Sequence, residues 1–322
     1  MVSTASTPSL ASTLTTVLLA AAWCCAPVSS WRYPETEANG WTGACRNGTE
    51  QSPIDIPTGD KAATKASNFE PLVLVNYDNL VNYNMTNNGE TVVLTADGGC
   101  NAYVTGGGLR KLFKLEQMHF HWGSEHLVGG LRYPLELHLV HYDANYGSLQ
   151  EALGKNGSLA VIAVLFRYEK NDVPNSELGH VVAGLKLVKE AGRQAKLGAR
   201  LSPGKLLPTD TERWWRYAGS LTTPGCDQGV VWTVFRDTLP AARNQLKEFQ
   251  TLQQDHGAGE PEYILKNFRA PQPIKHRTVF YQDPANNAKC GASASGPLSG
   301  PAAGAVLGLV LAAALANVFQ KH

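Results

Sequence analysis

The sequence predicts a single large domain, mainly β, with a few peripheral helices. Three observations predict it. Runs of β-branched and aromatic residues recur through the middle of the chain, the composition that suits a pleated, half-buried surface. Only two segments carry helical spacing. The chain has 322 residues with 28 Lys and Arg against 27 Asp and Glu, a net charge of +1. That length suits one domain with a substantial core, and that charge gives no support to a nucleic-acid partner.

The strand-like runs, in order, are "LVLVNY" (72–77), "TVVLTA" (91–96), "QMHFHW" (117–122), "ELHLVHY" (136–142), "LAVIAVLF" (159–166) and "VVWTVF" (230–235). Residues 176–197 are the clearest helical candidate, with Leu178, Val181, Val182, Leu185, Val188 and Lys189 in partial helical spacing. "PAARNQLKEFQTL" (240–252) is the second.

Two of the strands carry histidines at chemically suggestive spacing. In "EQMHFHWGS" (116–124), Gln117, His119 and His121 fall on one strand face and Met118, Phe120 and Trp122 on the other. Residues i and i+2 of a strand point the same way, with Cα atoms roughly 6.5–7 Å apart, so both imidazoles can converge on one metal ion. Taken alone, such a pair more often means hydrogen-bonded core histidines. "LELHLVHYD" (135–143) places Glu136, His138 and Val140 on one face. If the two strands are neighbours, His138 completes a three-histidine site. Three neutral imidazoles with water in the fourth position form the catalytic pattern for Zn2+. Gln117 and Glu136 lie on the ligand faces, where each can orient an imidazole through its other ring nitrogen. His141 faces away from Glu136 and His138 and reads as a hydrogen-bonded core residue. A zinc peptidase is disfavoured, because no H-E-x-x-H helix is present.

At this point the chain resembles the α-class carbonic anhydrases. "QSPIDI" (51–56), "NNGE" (87–90), "HFHWGS" (119–124), "SEH" (124–126), "ELHLVH" (136–141), "LAVIAVLF" (159–166), "GSLTTPGC" (219–226), "VVWTVF" (230–235) and "NFRAPQP" (267–273) match family segments in the family's order, across residues 31 to 281. The resemblance implies a twisted, mostly antiparallel sheet of about ten strands with zinc at the base of a cone-shaped cleft. It implies His119, His121 and His138 as zinc ligands. Gln117, Glu136 and the backbone carbonyl of Asn267 are then the partners of His119, His138 and His121 respectively. It implies Thr222 as the hydroxyl that orients the nucleophile, Glu125 as the buried carboxylate behind it, and Thr223 as a polar neighbour of substrate. Val140, Val161, Leu221 and Trp232 match the apolar wall for carbon dioxide. The implied activity is reversible hydration of carbon dioxide to bicarbonate and a proton by zinc-bound hydroxide; zinc lowers the pKa of bound water from 15.7 to about 7. The competing reading is a catalytically silent family member serving as a binding or adhesion module. Silent members typically lose a zinc histidine, and this chain keeps all three.

Three departures from the family pattern stand out. Glu90 occupies the position where a histidine commonly relays protons. With ordinary values of about 4.3 for Glu and about 7 for zinc water, that transfer is uphill by roughly 2.7 units, or about 3.7 kcal/mol, which predicts turnover limited by proton transfer unless burial raises Glu90. "HFHWGSEH" is compressed, so that Glu125 follows His121 by four residues. Loops tolerate deletion, yet the shortening threatens the reach of Glu125 to Thr222. Gly225 stands where a second proline often follows "LTTP" and is expected to loosen that loop slightly.

The ends and cysteines predict a secretory route. Residues 1–30 read as a signal peptide with an apolar centre over residues 14–30, cleaved before Trp31, although its start lacks Lys and Arg. Residues 31–283 form the catalytic domain and 284–293 a stalk. Residues 294–322 read as a removed GPI-attachment signal, with Ser293 as the anchor residue. The alternative is a single C-terminal transmembrane helix, but the apolar tail, about 302–319, is short for the roughly 20 residues a span needs. The expected location is the extracellular face of the plasma membrane. Cleavage removes Cys24 and Cys25 and leaves an even count of four cysteines, whose connectivity sequence does not fix. The resemblance implies Cys45 with Cys226, leaving Cys100 and Cys290. Asn47, Asn84 and Asn156 lie in glycosylation sequons.

Overall fold

Leu109–Trp122 and Leu135–Asp143 pair antiparallel through the middle of one large sheet. The computed structural model describes residues 32–33, 41–58, 64–65, 69–255 and 259–284. The segment read as a signal peptide, with Cys24 and Cys25, the expected stalk beyond Pro284, Cys290, Ser293 and the apolar tail lie outside the described residues. Among the described residues no helix is long and apolar enough to cross a membrane.

The strands are β1 (Asp55–Ile56), β2 (Thr64–Lys65), β3 (Leu72–Val75), β4 (Tyr83–Asn87), β5 (Val92–Ala96), β6 (Tyr103–Gly106), β7 (Leu109–Trp122) and β8 (Leu127–Val128). They continue with β9 (Leu131–Arg132), β10 (Leu135–Asp143), β11 (Leu159–Tyr168), β12 (Gln194–Lys196), β13 (Trp214–Ser220), β14 (Gln228–Phe235), β15 (Leu239–Ala241) and β16 (Phe280–Gln282). The main sheet runs β12-β4-β5-β7-β10-β11-β14-β13-β16-β2, a path of ten strands, with β3, β6 and β15 attached beside it. Within this sheet pairing is antiparallel except at β11/β14, β11/β15 and β16/β2, and β1, β8 and β9 form a separate small sheet in which β1 and β8 are parallel. A mainly β domain on a large, mostly antiparallel sheet is therefore the observed fold.

Helices are short and peripheral: α1 (Ala44–Asn47), α2 (Leu149–Ala152), α3 (Ser176–Leu185) and α4 (Arg243–Phe249). Both helical expectations were too long. α3 starts where the Asn175 side chain accepts from Leu178 N–H at 3.0 Å, the ordinary N-cap arrangement. It ends in tight i→i+3 bonds from Leu187 to Gly184 and Val188 to Leu185. Gln194–Lys196 then pairs with Asn84–Thr86 as an edge strand, since an open strand edge offers backbone partners that a helix would forgo. The second candidate loses Pro240 and Ala241 to the pairing of β15 with β11 and keeps Arg243–Phe249.

The alternation of side chains along β10 and β11 splits the core in two. Leu135, Leu137, Leu139, Ala160, Ile162 and Val164 join Phe120 and the buried faces of α3 and α4. Val140, Val161, Ala163, Trp232, Ile54 and Ile56 form a second cluster on the opposite face. Both faces of the central sheet are covered, which is why "LAVIAVLF" reads as a continuous apolar run instead of an alternating one. Burying each of the leucine, isoleucine, valine and phenylalanine side chains stabilises by about 1.5–3 kcal/mol. The histidine faces of β7 and β10 open on the second side.

Candidate metal centre

The register of β7 and β10 sets His138 directly opposite His119 and Glu136 opposite His121. The two strands are thus the neighbours that a third ligand requires. Same-face spacing brings the three rings together, with centroids 5.0 Å apart for His119–His121, 5.0 Å for His119–His138 and 4.6 Å for His121–His138. One ring nitrogen from each lies within 4.8 Å of the others.

Each ring's outward nitrogen already has a partner. His119 Nδ1 meets Gln117 Oε1 at 3.0 Å, His121 Nδ1 meets the Asn267 carbonyl at 2.6 Å, and His138 Nε2 meets Glu136 Oε1 at 2.7 Å. These acceptors leave His119 Nε2, His121 Nε2 and His138 Nδ1 turned inward. His119 Nε2 and His138 Nδ1 are 3.2 Å apart. Two nitrogens at 2.0–2.1 Å from a tetrahedral zinc lie about 3.3 Å apart. His121 Nε2 is buried without a hydrogen-bond partner, an orphan that a native interior rarely leaves unexplained. The donor set, spacing and orphaned nitrogen fit zinc.

Electrostatics agree with that fit. Burial, then the neighbouring rings, holds His119 well below the usual histidine range, and burial likewise lowers His121. Both are neutral at pH 7, the form that binds a metal. Burial acts to raise Glu136, but His126 and His138 outweigh it and hold that carboxyl well below the carboxylate range.

Glu136 is part of a longer buried chain. Its Oε1 also meets His126 Nδ1 at 2.6 Å, and its Oε2 accepts from His126 N–H at 2.9 Å. His126 Nε2 meets Tyr217 Oη at 2.7 Å, and Tyr217 donates to Ser52 Oγ at 2.9 Å. His126 lay inside the quoted "SEH" run but received no role from spacing alone. Tyr217, on β13, and Ser52, in the bend before β1, are both remote from it in sequence. His141 is buried, with Nδ1 meeting the Ala160 carbonyl at 3.1 Å and Nε2 meeting Tyr77 Oη closely.

The compressed loop keeps Glu125 beside the histidines. Glu125 Oε1 accepts from Arg269 N–H at 2.9 Å, and its Oε2 lies 3.6 Å from His121 Nε2. That Oε2 has no hydrogen-bond partner, so no direct bond joins it to Thr222. Thr222 is buried in a tight loop in which Leu221 N–H donates to Asp227 O and Cys226 N–H to Thr223 O, each at 2.9 Å. Gly225 in this loop has φ of +100°, a conformation glycine adopts freely and proline cannot. The Cys45–Cys226 disulfide closes the loop against α1 across a separation of 181 residues. Cys100 is buried and outside any described disulfide.

The three histidines line a cavity of about 310 Å3. Val140, Val161, Leu221 and Trp232 form an apolar side with Leu149, Leu153 and Leu159, and Thr222, Thr223, Gln117, Asn88, Glu90 and Tyr33 supply polar groups. Trp232 stands edge-on to His138 with centroids 4.9 Å apart. Glu90 sits at half-burial, and burial, helped by Asp255 and opposed by its own backbone N–H, pushes its carboxyl up to about 7. Unperturbed values could not anticipate this shift. Sequons at Asn47 and Asn156 are exposed, and Asn84 is partly exposed on β4.

The model of the eukaryotic-type carbonic anhydrase family matches residues 34–283. The chain is 38% identical to Carbonic anhydrase 1 of Mus musculus over 242 residues, 72% of this chain and 89% of that protein. It is 35% identical to Putative carbonic anhydrase 5 of Caenorhabditis elegans over 275 residues, 80% of this chain and 84% of that one. With Carbonic anhydrase 15 of Mus musculus the identity is 34% over 251 residues, 73% of this chain and 76% of the relative.

Proposed function

The chain belongs to the eukaryotic-type carbonic anhydrase family and is a carbonic anhydrase acting on carbon dioxide and bicarbonate, and from that premise we propose how its own residues carry the reaction and where the protein works. His119, His121 and His138 hold a zinc ion. When bound, it supplies a water whose pKa falls to about 7, a source of hydroxide at neutral pH. Val140, Val161, Leu221 and Trp232 seat carbon dioxide against the ligands, because an apolar wall suits a small apolar substrate and sheds ordered water. Thr222 fixes the direction of attack through its hydroxyl, a positioning effect, and Thr223 binds the bicarbonate side. Glu125 does not reach that loop; its carboxylate lies 3.6 Å from His121 Nε2 and acts on the ligand side of the site. Gln117, Glu136 and Asn267 lock the tautomer of each ligand ring.

Glu90 takes the proton that hydration leaves in the cavity and passes it to solvent. A carboxyl at about 7 exchanges protons with little driving-force penalty at neutral pH. The uphill step expected from an ordinary glutamate is nearly level here, so turnover is not strongly limited by the relay. The protein is secreted, glycosylated at Asn47, Asn84 and Asn156, and held at the extracellular face by a GPI anchor on Ser293. The leading apolar segment, the sequons, the disulfide and the small-residue tail support that reading.

The observation that carries the catalytic reading is the inward convergence of His119 Nε2, His121 Nε2 and His138 Nδ1 at the foot of a half-apolar cavity. Stopped-flow hydration with zinc quantified in the same sample tests it. One zinc per chain with fast hydration supports the reading; one zinc per chain with hydration at the buffer rate favours the silent binding module.

A further inference from the structure

Only Trp122, Gly123 and Ser124 separate His121 from Glu125. Three consecutive residues on a distant segment hold this short turn. At one end the Asn267 carbonyl accepts from His121 at 2.6 Å, and Asn267 Oδ1 accepts from Trp122 N–H at 2.7 Å. At the other end Arg269 N–H donates to Glu125 Oε1 at 2.9 Å. Between them the Phe268 ring lies on Gly123: a Cβ there would come within 2.4 Å of Phe268 Cε1, and Gly123 has φ of +69°. Only glycine lets the ring pack so closely.

Arg132 closes the arrangement from outside. Its guanidinium donates to the Ser124 carbonyl and lies 4.0 Å from the centre of the Phe268 ring. The strand end that carries it also grips the turn through its backbone: Ser124 N–H donates to Tyr133 O at 2.7 Å, and Gly123 N–H to Pro134 O at 2.9 Å. Tyr133 N–H donates to Ser124 Oγ at 2.9 Å. The turn is thus pinned between the Arg132–Pro134 segment and the Asn267–Arg269 segment, and the Arg132–Phe268 stack is the side-chain link between the two.

We infer that Arg132 and Phe268 are positioning residues that clamp the shortened turn and so set His121 and Glu125 for hydration. The inference rests on the reading of His121 as a zinc ligand and Glu125 as part of the hydration machinery. Neither residue lines the cavity. Each acts by fixing the two ends of the turn at once, and misplacement of about 1 Å near reacting groups lowers rates by up to about 100-fold.

The test uses the full-length zinc enzyme with Arg132→Met, Phe268→Leu, the double variant and Arg132→Lys. Three quantities are measured: kcat/KM for hydration, the rate of zinc transfer to the chelator dipicolinate, and Tm. Each of Arg132→Met and Phe268→Leu is expected to lower kcat/KM and speed zinc release by about tenfold. The double variant is expected to be no worse than the poorer single, because coupled residues are non-additive. Arg132→Lys, which keeps a donor for Ser124, is expected to recover part of both effects. Wild-type kcat/KM and zinc release in the variants, even with a lowered Tm, would overturn the clamp, as would effects that multiply in the double. A wild-type enzyme that holds zinc but does not hydrate carbon dioxide, with variants that release zinc quickly, would instead sink the hydration reading and leave the clamp on His121 standing.

Discussion

Asn267 ties Glu90 to His121. Its Nδ2 donates to the Glu90 carbonyl at 3.0 Å, while its own carbonyl accepts from His121 Nδ1 at 2.6 Å. The proposed proton relay and a proposed metal ligand are therefore fixed to one residue, Asn267. Asn88 Oδ1 adds to this by accepting from Glu90 N–H at 3.1 Å and Thr91 N–H at 2.8 Å. Such a held loop keeps the carboxyl half-buried.

Replacing Glu90 by Gln removes the relay and leaves the attack geometry intact. Stopped-flow in weak buffer is expected to show kcat lowered by about tenfold or more with kcat/KM nearly unchanged, and imidazole in the buffer is expected to restore kcat. Glu90→His is expected to keep kcat within about threefold, since an ordinary histidine near 6.5 is matched as well as a carboxyl near 7. A Glu90→Gln enzyme with normal kcat in weak buffer would remove Glu90 from the mechanism.

The same carboxyl makes stability depend on pH. Its value rises from 4.5 to about 7 on folding, so the folded state binds its proton more tightly than the unfolded state does. Favourable at low pH, that contribution is present in full below about 4.5 and is lost as pH rises to about 7. The gain in Tm from Glu90→Gln is expected to be absent near pH 4, to grow between, and to be complete at pH 8. Thermal melts across that range check the sign; a gain largest at pH 4 contradicts it.

Glu136 orients His138 and is itself held by His126. Loss of its charge in Glu136→Gln is expected to weaken zinc binding by about 10–100-fold, the usual effect of removing a ligand's hydrogen-bond partner. Competition with a chelator of known affinity measures it. Unchanged affinity would mean that the strand register alone orients the ring.

The anchor reading predicts release by a phosphatidylinositol-specific phospholipase C from cells expressing the full chain. Activity is expected to move from the membrane fraction to the medium, and Ser293→Pro is expected to reduce surface retention. Retention after the enzyme treatment favours a membrane-spanning tail.

The sequence exposes much of this because strand periodicity is short-range. The faces of Gln117, His119 and His121, and of Glu136 and His138, follow from alternation along two strands, and their convergence needs only that the strands be neighbours. The helix at 176–197 was overestimated because pairing with β4 is a long-range event invisible to local spacing. The Glu136–His126–Tyr217–Ser52 chain and the raised Glu90 carboxyl were illegible for a related reason. Each depends on burial by elements far apart in sequence. The Arg132–Phe268 stack joins residues 136 positions apart, and no local pattern marks it.

The central claim is that three inward nitrogens hold the ion that hydration requires. The most direct measurement strips the protein with a chelator and titrates zinc back while following carbon dioxide hydration by stopped-flow. Hydration is predicted to fall to the buffer rate in the stripped protein, rise linearly, and stop at one equivalent, with His138→Ala unable to regain it. Hydration that survives stripping, or zinc that returns to one equivalent without hydration, would contradict the account.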